Sequence, residues 1–128
     1  MGMAVEPTGR PQVIIVDDDA AVRNALVFAL QVDGFEVRAY ESGWDVLADR
    51  DLPIHGCLVI DQRMPGLDGL EMLARLRARG VTLPAMLITT PTAVLQKRAL
   101  AANIRIVEKP MMTSLIDHVR ELIGDARP

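Results

Sequence analysis

Short apolar runs alternate with helical patterns along most of the chain. Five segments have the length and pattern of β-strands, at residues 13–16, 35–39, 57–61, 85–88 and 104–107. Each is followed by apolar residues at helical spacing, which predict helices over about 20–32, 43–48, 69–79, 93–102 and 113–123. Such strict alternation predicts an α/β fold: a doubly wound, five-stranded parallel sheet with helices on both faces.

The ends of the chain lie outside this alternation. Residues 1–11 contain Pro7, Gly9 and Pro11 without any periodicity, and they predict a flexible N-terminal tail. Residues 12–124 form the predicted domain, which agrees with the size of about one domain for a chain of 128 residues. Residues 125–128 are expected to be a C-terminal tail or the start of a linker.

Composition narrows the classes of function. Half of the residues are hydrophobic but only 3% are aromatic, so the core must be aliphatic. The net charge is -3 with acids and bases interspersed, which argues against direct nucleic-acid binding by this domain. A single cysteine, Cys57, fits a reducing compartment, and no apolar run approaches the roughly 20 residues that cross a bilayer. We therefore expect a cytoplasmic protein without a membrane partner.

The central apolar run ends in a carboxylate. Cys57-Leu58-Val59-Ile60 has the composition of a strand buried on both faces, and Asp61 follows directly. A charged side chain at the tip of a buried strand is costly unless a partner neutralises it. Because ligands of open parallel sheets bind at the carboxyl ends of the strands, Asp61 is the first candidate for a functional residue.

Other polar residues follow the neighbouring strands. Asp17 and Asp18 come after the first strand, Thr89 closes the fourth, and Lys109 follows the fifth. The strand order 2-1-3-4-5 would place the first and third strands side by side, with the topological switch point between Asp17, Asp18 and Asp61. Three neighbouring carboxylates require a counter-cation, and oxygen ligands with room for water suit Mg²⁺ better than zinc.

This set of groups suits phosphoryl chemistry. A metal ion, the Lys109 ammonium and the Thr89 hydroxyl would together stabilise the three oxygens of a phosphoryl group in transit. The chain has neither a P-loop nor a Rossmann glycine fingerprint, so a dedicated nucleotide site is not expected. The simplest interpretation is that Asp61 is itself the nucleophile that receives phosphate.

The span from residue 12 to residue 123 resembles the receiver domain of two-component response regulators. The matching features lie in order, each at the end of its own predicted strand: Asp17-Asp18, then Val59-Ile60-Asp61-Gln62-Arg63-Met64-Pro65-Gly66-Leu67-Asp68-Gly69, then Thr89, then Lys109-Pro110. The pattern is closest to receivers of transcription regulators of the nitrogen-fixation type. The resemblance implies a flavodoxin-like fold and a conformational switch in signal transduction.

The resemblance also implies the phosphorylation chemistry. Asp61 would accept the phosphoryl group from a phosphohistidine on a sensor histidine kinase, and Thr89 and Lys109 would hold the phosphoryl oxygens. The Lys109–Pro110 peptide bond is expected to be cis. The domain would phosphorylate and dephosphorylate itself without turning over a substrate as an enzyme does, and a homodimer is a further expected partner.

The metal ligands follow from the same resemblance. Asp18, Asp61 and the backbone carbonyl of Arg63 would bind Mg²⁺ directly, while Asp17 would reach the metal through water. The expected cofactor is therefore Mg²⁺, held by oxygen ligands from the first and third strands.

Three features depart from the family pattern. Ile106 occupies the position in the fifth strand where receivers usually carry Tyr or Phe, and the segment from Thr89 to Lys109 is about two residues short. Thr90-Pro91-Thr92 replaces the small residues usual after the switch threonine. We therefore predict a smaller rearrangement of the fourth helix and fifth strand on phosphorylation, with output through the first or fifth helix or through dimer formation.

Two other functions remain open at this point. An aspartate-nucleophile phosphatase of the haloacid dehalogenase type also uses Asp, Thr, Lys and Mg²⁺, but its nucleophile usually follows the first strand in an Asp-x-Asp motif with a cap insertion. The second alternative is a receiver-like scaffold that binds a partner without phosphorylation.

Overall fold

The structure is a computed structural model that describes residues 11–90, 92–108 and 112–124, without the side chains of residues 112–114. Within these ranges the strands are β1 (Gln12–Val16), β2 (Glu36–Tyr40), β3 (Gly56–Asp61), β4 (Ala85–Thr89) and β5 (Arg105–Glu108). The helices are α1 (Ala20–Val32), α2 (Gly43–Ala48), α3 (Gly69–Ala78), α4 (Ala93–Ala101) and α5 (Met112–Ile123). The strands pair in parallel in the order β2-β1-β3-β4-β5, which confirms the predicted fold class and strand order.

Helices cover both faces of the sheet because successive strand residues point to opposite sides. Alternate residues of β1 and β3 pack on one face against α2, α3 and α4 through Ile14, Val16, Val46, Leu58, Ile60, Leu73, Leu76 and Leu95. The other residues pack against α1 and α5 through Val13, Ile15, Leu26, Leu30, Cys57, Val59, Leu115 and Val119. The core is therefore aliphatic on both faces, as the composition predicts.

Register brings the predicted functional residues to one edge. The last residue of β1, Val16, pairs with the residue before Asp61, so Asp17 and Asp61 lie on neighbouring strand ends. Asp61 in turn pairs with Ile88 of β4, and Thr89 is the next residue along that strand. The carboxyl edge of the sheet thus gathers three of the predicted site residues.

Several helices end in the same hydrogen-bonded turn. At the end of α1, Gly34 has φ +97°, its N–H donates to Gln31, and the Phe35 N–H donates to Leu30. This is the Schellman pattern, in which backbone donors just beyond a helix satisfy its last carbonyls. Because the Phe35 N–H is used by the helix, β2 begins at Glu36, one residue later than predicted.

The fourth helix ends in the same way at an asparagine. Asn103 takes the left-handed conformation with φ 58°, as predicted, and Ile104 donates its N–H to Ala99. The strand that follows therefore starts at Arg105, one residue later than the apolar pattern indicates. Both strands start later than predicted for one reason: the backbone N–H group that would begin the strand donates to the end of the preceding helix instead.

None of the helices in the described part of the chain is long and apolar enough to cross a membrane.

Cys57 lies in the middle of the sheet, on β3, and is fully buried. Burial raises the pKa of the thiol to about 12, and only the thiolate reacts readily with disulfides. We predict that Ellman's reagent at pH 8 leaves Cys57 unmodified in the native protein and modifies it completely in denaturant. Because the buried thiol stays protonated while the thiol of the unfolded chain ionises, the folded state should lose stability as the pH rises from about 9 to about 12. Rapid native-state modification would contradict the burial of this side chain.

Candidate functional site

Three carboxylates meet at the carboxyl edge of the sheet. Asp17, Asp18 and Asp61 each place a carboxylate oxygen within 4.8 Å of the other two. Asp17 and Asp61 are only 1% and 4% exposed, whereas Asp18 faces solvent. The sheet order alone accounts for this proximity, since β1 and β3 are neighbours although forty residues separate them along the chain.

One carboxylate oxygen of Asp17 has no hydrogen-bond partner among residues 11–90, 92–108 and 112–124. Its Oδ1 accepts from the N–H of Asp19 at 2.9 Å, and its backbone carbonyl accepts from Arg23 at 2.8 Å. Its Oδ2 is buried and accepts no hydrogen bond within the described structure. A buried carboxylate oxygen without a hydrogen bond is energetically unfavourable, so we expect a cation or an ordered water to bind it.

The acidic cluster fits a hard divalent cation. It offers one oxygen from each of three carboxylates, includes the side chain whose buried oxygen accepts no hydrogen bond from the described residues, and is open to water at the exposed Asp18. Mg²⁺ prefers a few carboxylates together with several retained waters. The residues that the structure brings together could therefore hold the metal ion that the sequence predicts.

A small cavity opens beside Asp61. It has a volume of about 70 Å³ and is lined by Asp61, Arg63, Thr89 and Thr90. Thr89 is 2% exposed at the end of β4, and Arg63 donates its backbone N–H to Asp61 Oδ1 at 3.3 Å. The predicted acceptor, the predicted hydroxyl and the loop that carries the predicted carbonyl ligand thus line one space.

Two predicted elements of the site lie outside the described residues. Lys109 and the Lys109–Pro110 peptide bond fall in the gap between β5 and α5, so the role of Lys109 and the cis bond stay predictions. Pro91, part of the altered segment after Thr89, also lies outside. Thr90 is exposed at the end of β4, next to the buried Thr89.

The site includes a residue that sequence reasoning missed. Gln62, directly after Asp61, is 7% exposed, and its side-chain Oε1 accepts from the backbone N–H of Leu70 at 2.9 Å. The only signal in the sequence is the position of this residue, which directly follows the buried apolar run and the aspartate at its end. A glutamine at a strand end is ordinarily read as solvated, and its partner is visible only in three dimensions.

A five-stranded parallel sheet of order 2-1-3-4-5 with an acidic edge at its switch point is the architecture of the receiver domains of response regulators. The chain matches the response regulator receiver domain family over residues 13–120. The chain therefore belongs to this family and is the receiver domain of a two-component response regulator, a signalling domain.

Related regulators share much of this sequence. The transcriptional regulatory protein FixJ of Azorhizobium caulinodans is 38% identical over 116 residues, which cover 86% of this chain and 54% of the relative. The C4-dicarboxylate transport transcriptional regulatory protein DctR of Rhodobacter capsulatus is 38% identical over 102 residues, covering 75% and 51%. The chain spans about half the length of these curated relatives, which are named as transcriptional regulators.

Solved structures agree with the fold. The crystal structure of FixJ-N superimposes with a TM-score of 0.80 at 30% identity, covering 94% of this chain and 98% of that one. Full-length FixJ from B. japonicum gives a TM-score of 0.80 at 34% identity, covering 94% and 61%. The resemblance to receivers of the nitrogen-fixation type is thus confirmed in sequence and in fold.

Proposed function

We propose that this domain accepts a phosphoryl group on Asp61 in a Mg²⁺-dependent reaction and switches conformation as a result. The observation that carries the proposal is the acidic cluster of Asp17, Asp18 and Asp61, in which the buried Asp17 Oδ2 accepts no hydrogen bond from the described residues. The donor is a phosphohistidine of a sensor histidine kinase, the setting is the cytoplasm, and the output is regulation of transcription. The curated relatives support this output through their names.

The chemistry is an in-line displacement at phosphorus. A carboxylate oxygen of Asp61 forms the new O–P bond while the N–P bond of the phosphohistidine breaks, and the freed imidazole takes up a proton. Thr89, at the wall of the same cavity, donates its hydroxyl to a phosphoryl oxygen, and Lys109 supplies positive charge. Asp18, Asp61 and the Arg63 carbonyl would hold Mg²⁺, with Asp17 reaching it through water, and the ion would supply positive charge against these oxygens.

The kinase must approach over the edge that exposes Asp18. Helix α1 begins directly beside this edge, and its outer side exposes Phe28 and Val32 at 69% and 72%. These two residues are one helical turn apart and form an apolar ridge that leads away from the site. We propose this ridge as the surface that a partner kinase covers, and we propose no direct contact between this domain and nucleic acid.

A small phosphodonor separates the proposed function from its alternatives. The protein is incubated with acetyl phosphate and Mg²⁺, and intact-mass spectrometry follows the adduct while released inorganic phosphate is measured. A single acyl phosphate that decays slowly supports a receiver. Multiple-turnover hydrolysis would instead indicate an aspartate-nucleophile phosphatase, and no adduct at any Mg²⁺ concentration would indicate a scaffold without phosphorylation.

The readout of phosphorylation is expected to differ from the usual one. All four aromatic residues lie within the first 44 positions, so neither α4 nor β5 carries a ring that could move inward. Ile106 of β5 is half-buried and packs against the core that α3 and α4 cover. Its β-branched side chain is stiff and wholly apolar, so it should keep the same packing against the core in both states.

We therefore predict only small changes in amide exchange over residues 93–107 when beryllofluoride, a mimic of aspartyl phosphate, is added. The comparison is with the residues that flank Asp61, where ligand binding should slow exchange directly. Ile106→Tyr is the matched variant, since it restores a ring with a hydroxyl and should enlarge the response in α4 and β5. Large protection confined to residues 93–107 in the wild type would show that Ile106 does not limit the switch.

A further inference from the structure

The N-terminus of α3 is held from outside the helix. A helix leaves its first four backbone N–H groups without partners inside the helix. Here Asp68 donates its N–H to Glu71 Oε1, and Glu71 donates to Asp68 Oδ1, a reciprocal capping box. The backbone N–H groups of the two residues between Asp68 and Glu71 both donate to Gln62. Gly69 donates to the Gln62 carbonyl at 3.1 Å, and Leu70 donates to Gln62 Oε1 at 2.9 Å.

Gln62 also joins this helix to the sheet. Its own N–H donates to the Ile88 carbonyl at 3.2 Å, which continues the ladder between β3 and β4 by one step. The contact is tight, because a Cβ placed on Gly69 would lie 2.8 Å from Ile60 Cγ2 and 2.9 Å from the Asp61 carbonyl oxygen. The start of α3 therefore rests directly on the end of β3, with the Gln62 side chain buried between them.

These bonds close the loop of residues 63–68. Both ends of the loop are anchored by Gln62, at one end through the peptide chain and at the other through Gly69 and Leu70. Within the loop, Arg63 places its backbone N–H 3.3 Å from Asp61 Oδ1 and lines the small cavity beside the acceptor. Any movement of α3 away from β3 would carry this backbone away from Asp61.

We infer that Gln62 is a positioning residue, which holds the Arg63 backbone in place beside Asp61 so that the metal and the phosphoryl group meet a preformed site. This inference rests on the proposed function. An apolar side chain at the same position would fill the space but leave the buried Leu70 N–H without an acceptor. The loop would then open, and Mg²⁺ would be bound more weakly although all three carboxylates remain.

The test uses the full chain with Gln62→Met, which keeps the length and burial of the side chain and removes the acceptor. Trp44 reports on the loop, since it is the single tryptophan and its Nε1 would lie 3.6 Å from a Cβ on Gly66. We expect the Mg²⁺ midpoint of Trp44 fluorescence to rise about tenfold or more, as is usual when a residue behind a metal ligand is lost. Labelling by acetyl phosphate at saturating Mg²⁺ should recover most of the wild-type extent.

The control is Leu76→Val, which weakens the packing of the same helix two turns away from the site. It should lower the melting temperature without moving the Mg²⁺ midpoint. Amide exchange of residues 63–71 without Mg²⁺ gives a second measurement, and Gln62→Met should accelerate it well beyond Leu76→Val. If Gln62→Met does not fold, Gln62→Asn serves instead, because its side chain is one methylene too short to reach Leu70.

The outcomes separate this inference from the proposed function. Equal exchange of residues 63–71 in Gln62→Met and Leu76→Val overturns the role of Gln62, whether or not Asp61 is phosphorylated. An unchanged Mg²⁺ midpoint in a variant that labels normally overturns it while leaving the proposed function intact. Absent labelling of the wild type, with faster loop exchange in Gln62→Met, overturns the proposed function alone.

Discussion

Asp61→Asn should abolish labelling by acetyl phosphate or phosphoramidate in the presence of Mg²⁺. Asp61 lies at the tip of the central strand, lines the small cavity and belongs to the acidic cluster. An amide in its place is a poor nucleophile and removes one of the three carboxylates that attract the metal. The loss should be complete, because the adduct is an acyl phosphate formed on this side chain, and intact-mass spectrometry measures it directly.

The matched control is Asp51→Asn, which makes the same chemical change at an exposed residue before β3. Its labelling should equal that of the wild type. Replacement of Asp17, Asp18 or Lys109 should slow labelling while leaving the acceptor in place. Undiminished labelling of Asp61→Asn would move the acceptor to another residue and refute the assignment.

Asp17→Asn should stabilise the metal-free protein while removing its response to Mg²⁺. The buried Asp17 Oδ2 accepts no hydrogen bond from any residue that the structure describes, and the same side chain lies near two further carboxylates. An amide keeps the acceptor for the Asp19 N–H, removes a charge and adds a donor that faces Asp18 and Asp61. Relief of one unsatisfied buried group is worth about 1–3 kcal/mol of unfolding free energy.

Urea unfolding with and without millimolar Mg²⁺ measures both effects. The wild type should gain stability with Mg²⁺ by ligand linkage, and Asp18→Ala should lose most of that gain. Asp117→Asn, an exposed acid on α5, is the control and should keep the wild-type Mg²⁺ dependence. A wild type that ignores Mg²⁺ while remaining folded would favour the scaffold alternative.

Much of the fold could be predicted because this chain carries its signals locally. The run before Asp61 is apolar at every position, which is what burial on both faces of a parallel sheet requires. Asp19, Ser42 and Asp68 stand at the predicted helix starts and all accept backbone N–H groups there. Once the strand order is known, the meeting of Asp17, Asp18 and Asp61 follows from topology.

What escaped prediction depends on hydrogen bonds between distant residues. β2 and β5 start one residue later than the apolar pattern predicts because Phe35 and Ile104 donate their N–H groups to the preceding helices. The role of Gln62 is not predictable from the sequence, because its side-chain oxygen accepts from the N–H of Leu70, eight positions away, and no periodicity indicates this contact. Apolar patterns indicate which face of an element a residue occupies. The partner of a backbone N–H group, in contrast, depends on how the elements pack together.

Because of the hydrogen-bonded turns that end α1 and α4, the two edges of the sheet should differ in how well they tolerate inserted residues. Each turn feeds the next strand after a fixed number of residues, so an insertion there would break the turn and shift the strand. The loops at the opposite edge begin from strand ends already secured by the ladder. A change in those loops would therefore act on the site and leave the strand register intact, while the amino-edge turns keep the framework in register.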